Sequence, residues 1–93
     1  MPSLELSGKR VLILGGSGEL GGRIAHELSR RGTSVLLAGR DGERLKWRSD
    51  QLVPASSYAA FDLLVDDPSS IIYEAIQQLG GLDGIVNAAG VVA

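Results

Sequence analysis

Ninety-three residues with a formal charge of −2 suit one small domain and give no reason to expect nucleic acid or an anionic membrane surface as a partner. The chain has no cysteine and a single histidine, His26, which excludes a disulfide framework, a thiolate metal site and a histidine cluster, so no metal is expected. No apolar run approaches the roughly 20 residues that span a bilayer, and Met1 to Glu5 do not form a basic segment followed by an apolar one; the expectation is a soluble cytoplasmic protein without a signal peptide.

Strands and helices alternate along the chain. Lys9 to Leu14 is an unbroken β-branched and leucine run, as a strand covered on both faces requires. Leu20, Ile24 and Leu28 then fall at i, i+4 and i+8, with Gly21 and Ala25 beside them, which predicts a helix with a narrow apolar face. Arg30 and Arg31 suit the negative end of that helix, and Gly32 is placed to cap it. Thr33 to Ala38 reads as the second strand. Asp41 reads as the N-cap of a more polar helix running to about Asp50, and Pro54 with the serines after it marks a loop. Tyr58 to Phe61 is a weak third strand. Asp67-Pro68 opens a third helix, with an N-cap followed by proline at the first helical position. Its buried stripe is expected at Ile72, Ala75, Ile76 and Leu79, and Gly80-Gly81 ends it. Leu82 to Val86 is the fourth strand. This βαβαβαβ order, with no repeat or interdomain linker, demands an α/β fold built on a parallel sheet with right-handed crossovers.

The turn after the first strand carries the chemistry. Gly15-x-x-Gly18-x-x-Gly21 follows a strand and opens an amphipathic helix, the arrangement in which backbone N–H groups and a helix N-terminus receive a pyrophosphate. The glycines allow a tight turn, a close approach of backbone to phosphate and close packing of helix on strand. Glu19 stands in this turn, where a carboxylate is favoured by the helix dipole, and reads as helix-stabilising rather than catalytic.

With the glycine turn, Leu6-Ser7-Gly8-Lys9, Phe61-Asp62-Leu63 and Leu82-Asp83-Gly84-Ile85-Val86-Asn87-Ala88-Ala89-Gly90, the whole chain resembles the N-terminal part of a short-chain dehydrogenase/reductase. The resemblance implies a Rossmann-type parallel sheet of about four strands and three helices, and a nicotinamide-dependent oxidoreductase acting on alcohols or carbonyl compounds. It implies the first two helices on one face of the sheet and the third on the other. It places Gly15, Ser17, Gly18, Glu19, Leu20 and Gly21 in the cofactor turn, and Asp62 and Leu63 at the adenine. Asn87, Ala88 and Gly90 fall beside the nicotinamide-side ribose, Asn87 and Gly90 being otherwise a strand-end turn without ligand contact. Asp62 is otherwise a polar strand end, and Leu20 is either a contact at the nicotinamide end or a core leucine. His26 reads as structural or solvated and Trp47 as packing. The glycine spacing is that of extended and atypical members; Leu14 and Glu19 replace the Thr and central Gly of the commonest subgroup, and Ala88 replaces a frequent Asn.

Cofactor preference is read at the end of the second strand. A site for NAD(H) needs an acidic side chain there to bond the ribose 2′-hydroxyl. The chain has Gly39 where family members that prefer NAD(H) carry Asp, followed by Arg40, which can pair with a 2′-phosphate. Ser17 can add a hydroxyl, Arg44 lies one turn beyond Arg40, and Asp41 is a helix cap rather than the ribose ligand. NADP(H) is therefore expected over NAD(H).

The family's catalytic Ser and Tyr-x-x-x-Lys are not in this sequence: four residues after Tyr58 and Tyr73 stand Asp62 and Gln77, and no lysine follows Lys46. The expectation is a single dinucleotide-binding domain, residues 1–93, truncated before the catalytic segment and binding nucleotide without turnover. The alternatives are an NADP(H)-responsive assembly module and one half of an enzyme completed by another chain. The fourth strand should be an open edge and part of one apolar face uncovered, which predicts a homo-oligomer or association through that edge.

Overall fold

The computed structural model describes residues 6–52 and 56–89. Strand β1 (Arg10–Leu14) leads to helix α1 (Glu19–Arg30), β2 (Ser34–Gly39), α2 (Gly42–Asp50), β3 (Ser57–Ala60), α3 (Pro68–Leu79) and β4 (Gly84–Asn87). The strands form one parallel sheet in the order β3-β2-β1-β4. Leu12 is paired with Leu36 on one side and Ile85 on the other, so β1 is central and its chain order reverses there. Ligands of open α/β sheets bind outside the carboxyl ends of the strands at such a reversal. Pro54 and Gly90 lie outside the described residues.

The two faces of the sheet are covered as expected. Val11, Ile13, Val35 and Leu37 pack with Ala25 of α1 and Leu45 of α2. Leu12, Leu36 and Ala38 point the other way, onto Ile71 and Ala75 of α3 and onto Phe61. Alternate side chains of a strand face opposite sides, so covering both faces explains why β1 and β2 are apolar without interruption.

Element ends were set by local hydrogen bonds. The Thr33 amide donates to the Leu28 carbonyl and that of Gly32 to Ser29, both at 3.0 Å, with Gly32 at φ +89°. This is a Schellman closure, for which a left-handed glycine is suited. It takes Thr33 out of β2, and the Thr33 hydroxyl is spent on the Leu6 carbonyl at 2.8 Å. Asp41 accepts from the Arg44 amide and caps α2; Asp67 accepts from Ser69 and caps α3, with Pro68 opening the helix.

Three details of side-chain burial also depart from the expectations. On α1 the buried residues are Gly21, Gly22, Ala25 and Ser29, with Ile24 and Leu28 only partly buried, while Leu20 is 61% exposed and is not a core leucine. The small residues let α1 lie close to the sheet, and the larger ones straddle the contact. On α3, Ile71 is buried and Ile76 is exposed, so the stripe runs Ile71, Ile72, Ala75, Leu79. Trp47 is 56% exposed and lies beside the Arg48 guanidinium, 5.6 Å from its ring centre, rather than packed inside.

The start of β4 is displaced by two residues because Asp83 is engaged in holding it to β1. The Arg10 amide and Nε donate to Asp83 Oδ2 at 2.9 and 3.1 Å, and the Asp83 amide donates to the Arg10 carbonyl at 2.8 Å. The Arg10 side chain and amide hold the Asp83 carboxyl below the ordinary aspartate range; the Ser69 amide lowers that of Asp67. A carboxylate lowered in the native state lends stability at neutral pH that is lost as pH falls from its unfolded value, about 3.9, through its native value. Unfolding stability is thus expected to fall below about pH 4, and Asp83→Asn to flatten that dependence. Urea titrations at several acid pH values check this; an identical slope in the variant would contradict it.

Candidate functional site

The carboxyl ends of the strands converge on a cleft of about 380 Å³, lined by Gly15, Ser17, Gly18, Arg40, Asp62, Leu63 and Ala88 among others. Small-molecule sites commonly measure roughly 300–1,000 Å³. A hollow of about 220 Å³ at the opposite ends of β2 and β3 is lined by Ser29, Thr33, Ser56 and Ser57 and lacks any glycine turn or helix N-terminus, so size alone does not assign the site.

The glycine turn is built by close backbone contacts. The amides of Gly15 and Gly16 donate to the Ala38 carbonyl at 2.8 and 2.9 Å, tying the turn to the end of β2. The Gly18 amide donates to the Gly15 carbonyl at 3.1 Å. Gly15 has φ +80°, and a Cβ there would stand 2.5 Å from the Ala89 backbone. A Cβ on Gly21 would run into the Gly15 carbonyl oxygen. These glycines therefore bring three backbone segments together where no side chain would fit. The N-cap of α1 is Gly18, which offers no side-chain acceptor, so the first turn of the helix opens uncapped at the cleft. Uncapped N–H groups and the helix dipole make such an end receptive to an anion.

Glu19 begins α1, is exposed and pairs with Arg23 one turn on, at 3.4 Å. Leu20 and Gly21 follow it in the first turn. At the end of β2, Gly39 admits Ser17: a Cβ there would meet the Ser17 hydroxyl oxygen at 2.8 Å. Ser17, Arg40, Asp41 and Glu43 line a shallow recess beside the cleft. One Asp41 oxygen is occupied as the α2 cap, at 3.1 Å from the Arg44 amide. His26 is exposed on α1 and lines a separate hollow with Trp47 and Arg48.

The β3–α3 turn is closed by its own acids. Asp62 Oδ1 accepts from the Leu64 amide at 2.9 Å, and the Asp62 amide donates to Asp66 Oδ2 at 2.7 Å. Asp62 thus lines the cleft with its carboxylate held in an Asx turn. Asn87, at the end of β4, turns its Oδ1 onto the Ala89 amide at 3.1 Å. The structure therefore brings Gly15, Ser17, Gly18, Arg40, Asp62, Leu63 and Ala88 around one cleft; Glu19, Leu20 and Gly21 are in the adjoining helical turn, and Asn87 shapes the β4 end.

Two arginines of α2 also reach this turn: Arg44, expected beside Arg40, and Arg48, which the glycine motif does not include. Arg44 Nε and Arg48 Nε both donate to the Ser17 carbonyl, at 2.9 and 3.1 Å. Their spacing of four on α2, continuing from Arg40, is the sequence signal that could have shown it.

Four parallel strands with the order reversing at β1, and a glycine turn opening α1 at that point, define a doubly wound fold of the Rossmann type. Residues 9–93 match the family model described as short chain dehydrogenase. The chain is 36% identical over 87 residues to Hydroxysteroid 11-beta-dehydrogenase 1-like protein B of Xenopus laevis, covering 88% of this chain and 30% of that protein. It is 32% identical over 94 residues to 11-beta-hydroxysteroid dehydrogenase-like 4A of Arabidopsis thaliana, covering 96% and 31%. The chain thus spans about a third of the length of these curated relatives. Among solved structures it resembles a short-chain type dehydrogenase/reductase from Mycobacterium marinum, with a TM-score of 0.76 at 29% identity over 100% of this chain and 40% of that one. One from Mycobacterium ulcerans shares the fold, with a TM-score of 0.84 at 24% identity over 94% and 34%. The chain belongs to the short-chain dehydrogenase/reductase family, oxidoreductases that bind a nicotinamide dinucleotide. Among the described residues no helix is long and apolar enough to cross a membrane.

Proposed function

We propose that this chain is the NADP(H)-binding portion of an oxidoreductase that interconverts alcohols and carbonyl compounds. The observation that carries the reading is the close-packed glycine turn opening an uncapped α1 into the cleft, with Gly39 and Arg40 at the end of β2 beside it. The residues present suit a dinucleotide: Gly15 and Gly21, where a Cβ would collide with backbone, make the tight turn and the close packing of helix on strand, and Gly18, with no such contact, leaves backbone open to a phosphate. The amides not engaged within the turn, those of Ser17, Glu19, Leu20 and Gly21, hold the pyrophosphate, Asp62 and Leu63 border the adenine, and Asn87 and Ala88 border the nicotinamide-side ribose. Arg40, with the Ser17 hydroxyl, takes the 2′-phosphate through charge-assisted hydrogen bonds. When bound, the nicotinamide supplies or accepts hydride.

Turnover requires a positioned acid–base group. No lysine follows Lys46, so the family's Tyr-x-x-x-Lys pair cannot be drawn from this sequence, and the 93 residues bind nucleotide without reducing a carbonyl. The two hydroxysteroid relatives make steroid-like ketones and alcohols a reasonable first panel for a protein carrying this segment together with a catalytic one.

Calorimetric titration of the purified chain with NADPH and with NADH tests the reading. Binding of NADPH at least about tenfold tighter than NADH is expected, since one extra charge-assisted contact contributes about 1.5–3 kcal/mol. Absence of binding by either would overturn it.

Association is a second, independent expectation. β4 is an edge of the described sheet and Ile85 on it is 49% exposed, so its unpaired backbone groups offer a surface for a further strand. Light scattering after size exclusion is expected to show a mass above the monomer's 9.7 kDa at high concentration. A monomer throughout would argue against self-association.

A further inference from the structure

Gly22 has no part in the Gly15-x-x-Gly18-x-x-Gly21 pattern, and Arg48 lines no part of the cleft, yet the two meet behind the phosphate turn. Arg48 is half-buried between α1 and α2. Its Nε donates to the Ser17 carbonyl at 3.1 Å, beside Arg44 Nε at 2.9 Å. A Cβ on Gly22 would stand 2.5 Å from Arg48 Nη1 and 2.8 Å from its Cδ and Cζ. The guanidinium therefore lies where any side chain on residue 22 would be. Trp47 flanks it at 5.6 Å from the ring centre, a distance at which ring and cation attract. No carboxylate among the described residues pairs with Arg44 or Arg48, although Arg10, Arg23, Arg30, Arg31 and Lys46 each have one.

Two guanidinium groups brought onto one neutral carbonyl repel each other, a repulsion that an anion bound nearby would relieve. The Ser17 carbonyl and the Gly18 amide belong to one peptide plane, and the Gly18 amide donates to the Gly15 carbonyl. Hydrogen bonds at the two ends of a peptide unit polarise and orient it together. The chain of contacts runs Arg48 and Arg44, Ser17 carbonyl, Gly18 amide, Gly15 carbonyl, and that last oxygen is the one Gly21 must leave clear.

We propose that Arg48, admitted by Gly22 and assisted by Arg44, is a positioning residue that latches α2 to the Ser17–Gly18 peptide and holds the phosphate turn in its receptive geometry. The proposal rests on the dinucleotide reading above for its consequence, though not for the latch itself. Arg40 serves the 2′-phosphate and so affects NADPH alone. Arg48 acts on the turn from behind and affects both nucleotides equally.

Amide hydrogen exchange on the nucleotide-free chain, followed by NADPH and NADH titrations, separates the possibilities. Gly22→Ala keeps Arg48 but displaces its flexible end, and alanine has the higher helix propensity, so global stability holds or rises. Arg48→Met removes the donor while keeping most of the apolar stem. Each is expected to speed Gly18 amide exchange about tenfold while Leu36, in the sheet, is unchanged. Each should also weaken NADPH and NADH by the same factor, about tenfold, leaving their ratio as in the wild type. A role in stability alone would require affinity and stability to fall together in Gly22→Ala. Unchanged Gly18 exchange overturns the latch; faster exchange with unchanged affinities overturns its positioning role. A shifted NADPH-to-NADH ratio overturns it in favour of direct phosphate contact. A wild-type chain that binds neither nucleotide overturns the dinucleotide reading, and the exchange comparison then decides the latch by itself.

Discussion

Gly15→Ala is expected to abolish dinucleotide binding and to cost about 3 kcal/mol or more of stability. Two penalties combine at this position. With φ +80° the backbone is left-handed, where an L side chain costs roughly 1–2 kcal/mol. The new methyl would also stand 2.5 Å from the Cα and N of Ala89 and 2.7 Å from the carbonyl carbon of Ala88. Those atoms are backbone at the end of β4 and cannot rotate away, so the turn and strand must separate, at about 1–3 kcal/mol for an overpacked contact. Gly18→Ala is the control for stability, since its Cβ would meet nothing nearer than the Gly15 carbonyl oxygen at 3.4 Å and its φ is −80°. Urea denaturation of both variants measures the contrast in stability, and NADPH titration of Gly15→Ala measures the loss of binding. Equal stability in the two would show that the β1 turn is looser than its contacts imply.

Exchanging the residues at the end of β2 is expected to invert nucleotide preference. Arg40→Ala should weaken NADPH by about 10- to 100-fold and leave NADH within about twofold, because only the 2′-phosphate loses a charge-assisted partner. Gly39→Asp goes further. Its carboxylate faces a doubly charged phosphate, a juxtaposition costing several kcal/mol, while offering the ribose 2′-hydroxyl of NADH an acceptor. Its Cβ also displaces the Ser17 hydroxyl now 2.8 Å from that place. NADPH affinity should fall by about 100-fold or more, with NADH affinity held or raised. Titrations of both nucleotides against both variants check it, and an NADPH affinity unmoved in Arg40→Ala would mean that the phosphate sits elsewhere.

The architecture was legible because unbroken apolar runs and helical period 3.6 are short-range signals. β1 and β2 are apolar on successive residues, which only a sheet covered on both faces rewards, and the caps at Asp41, Asp67 and Gly80 are local hydrogen-bond chemistry. The errors fell where depth of packing, rather than periodicity, decides exposure. Leu20 follows the helical spacing yet is exposed, because glycine and alanine, not leucine, form the contact of α1 with the sheet. The stripe of α3 was centred one residue too far along for the same reason: Ile71 and Ile76 are alike in chemistry, and only the angle at which α3 lies on β1 and β2 tells them apart. The start of β4 moved because Asp83 is held by Arg10, 73 residues away in sequence, a pairing without a local signature.

At the site, local sequence sets the glycine turn, its place between strand and helix, and the identity of Gly39 and Arg40 after β2. Turn conformation and chain direction are near-neighbour properties, and the parallel sheet follows from them. How these segments share a cleft depends on long-range packing. Asp62 is drawn into an Asx turn with Asp66 as its partner, Asn87 is turned onto its own Ala89 amide, and Trp47 is left outside. That packing alone sets Arg44 and Arg48 on the Ser17 carbonyl and so gives Gly22 a reason. Those contacts join residues about thirty apart, whose meeting depends on the separation of α1 and α2 across the sheet, and a linear pattern carries no record of that distance.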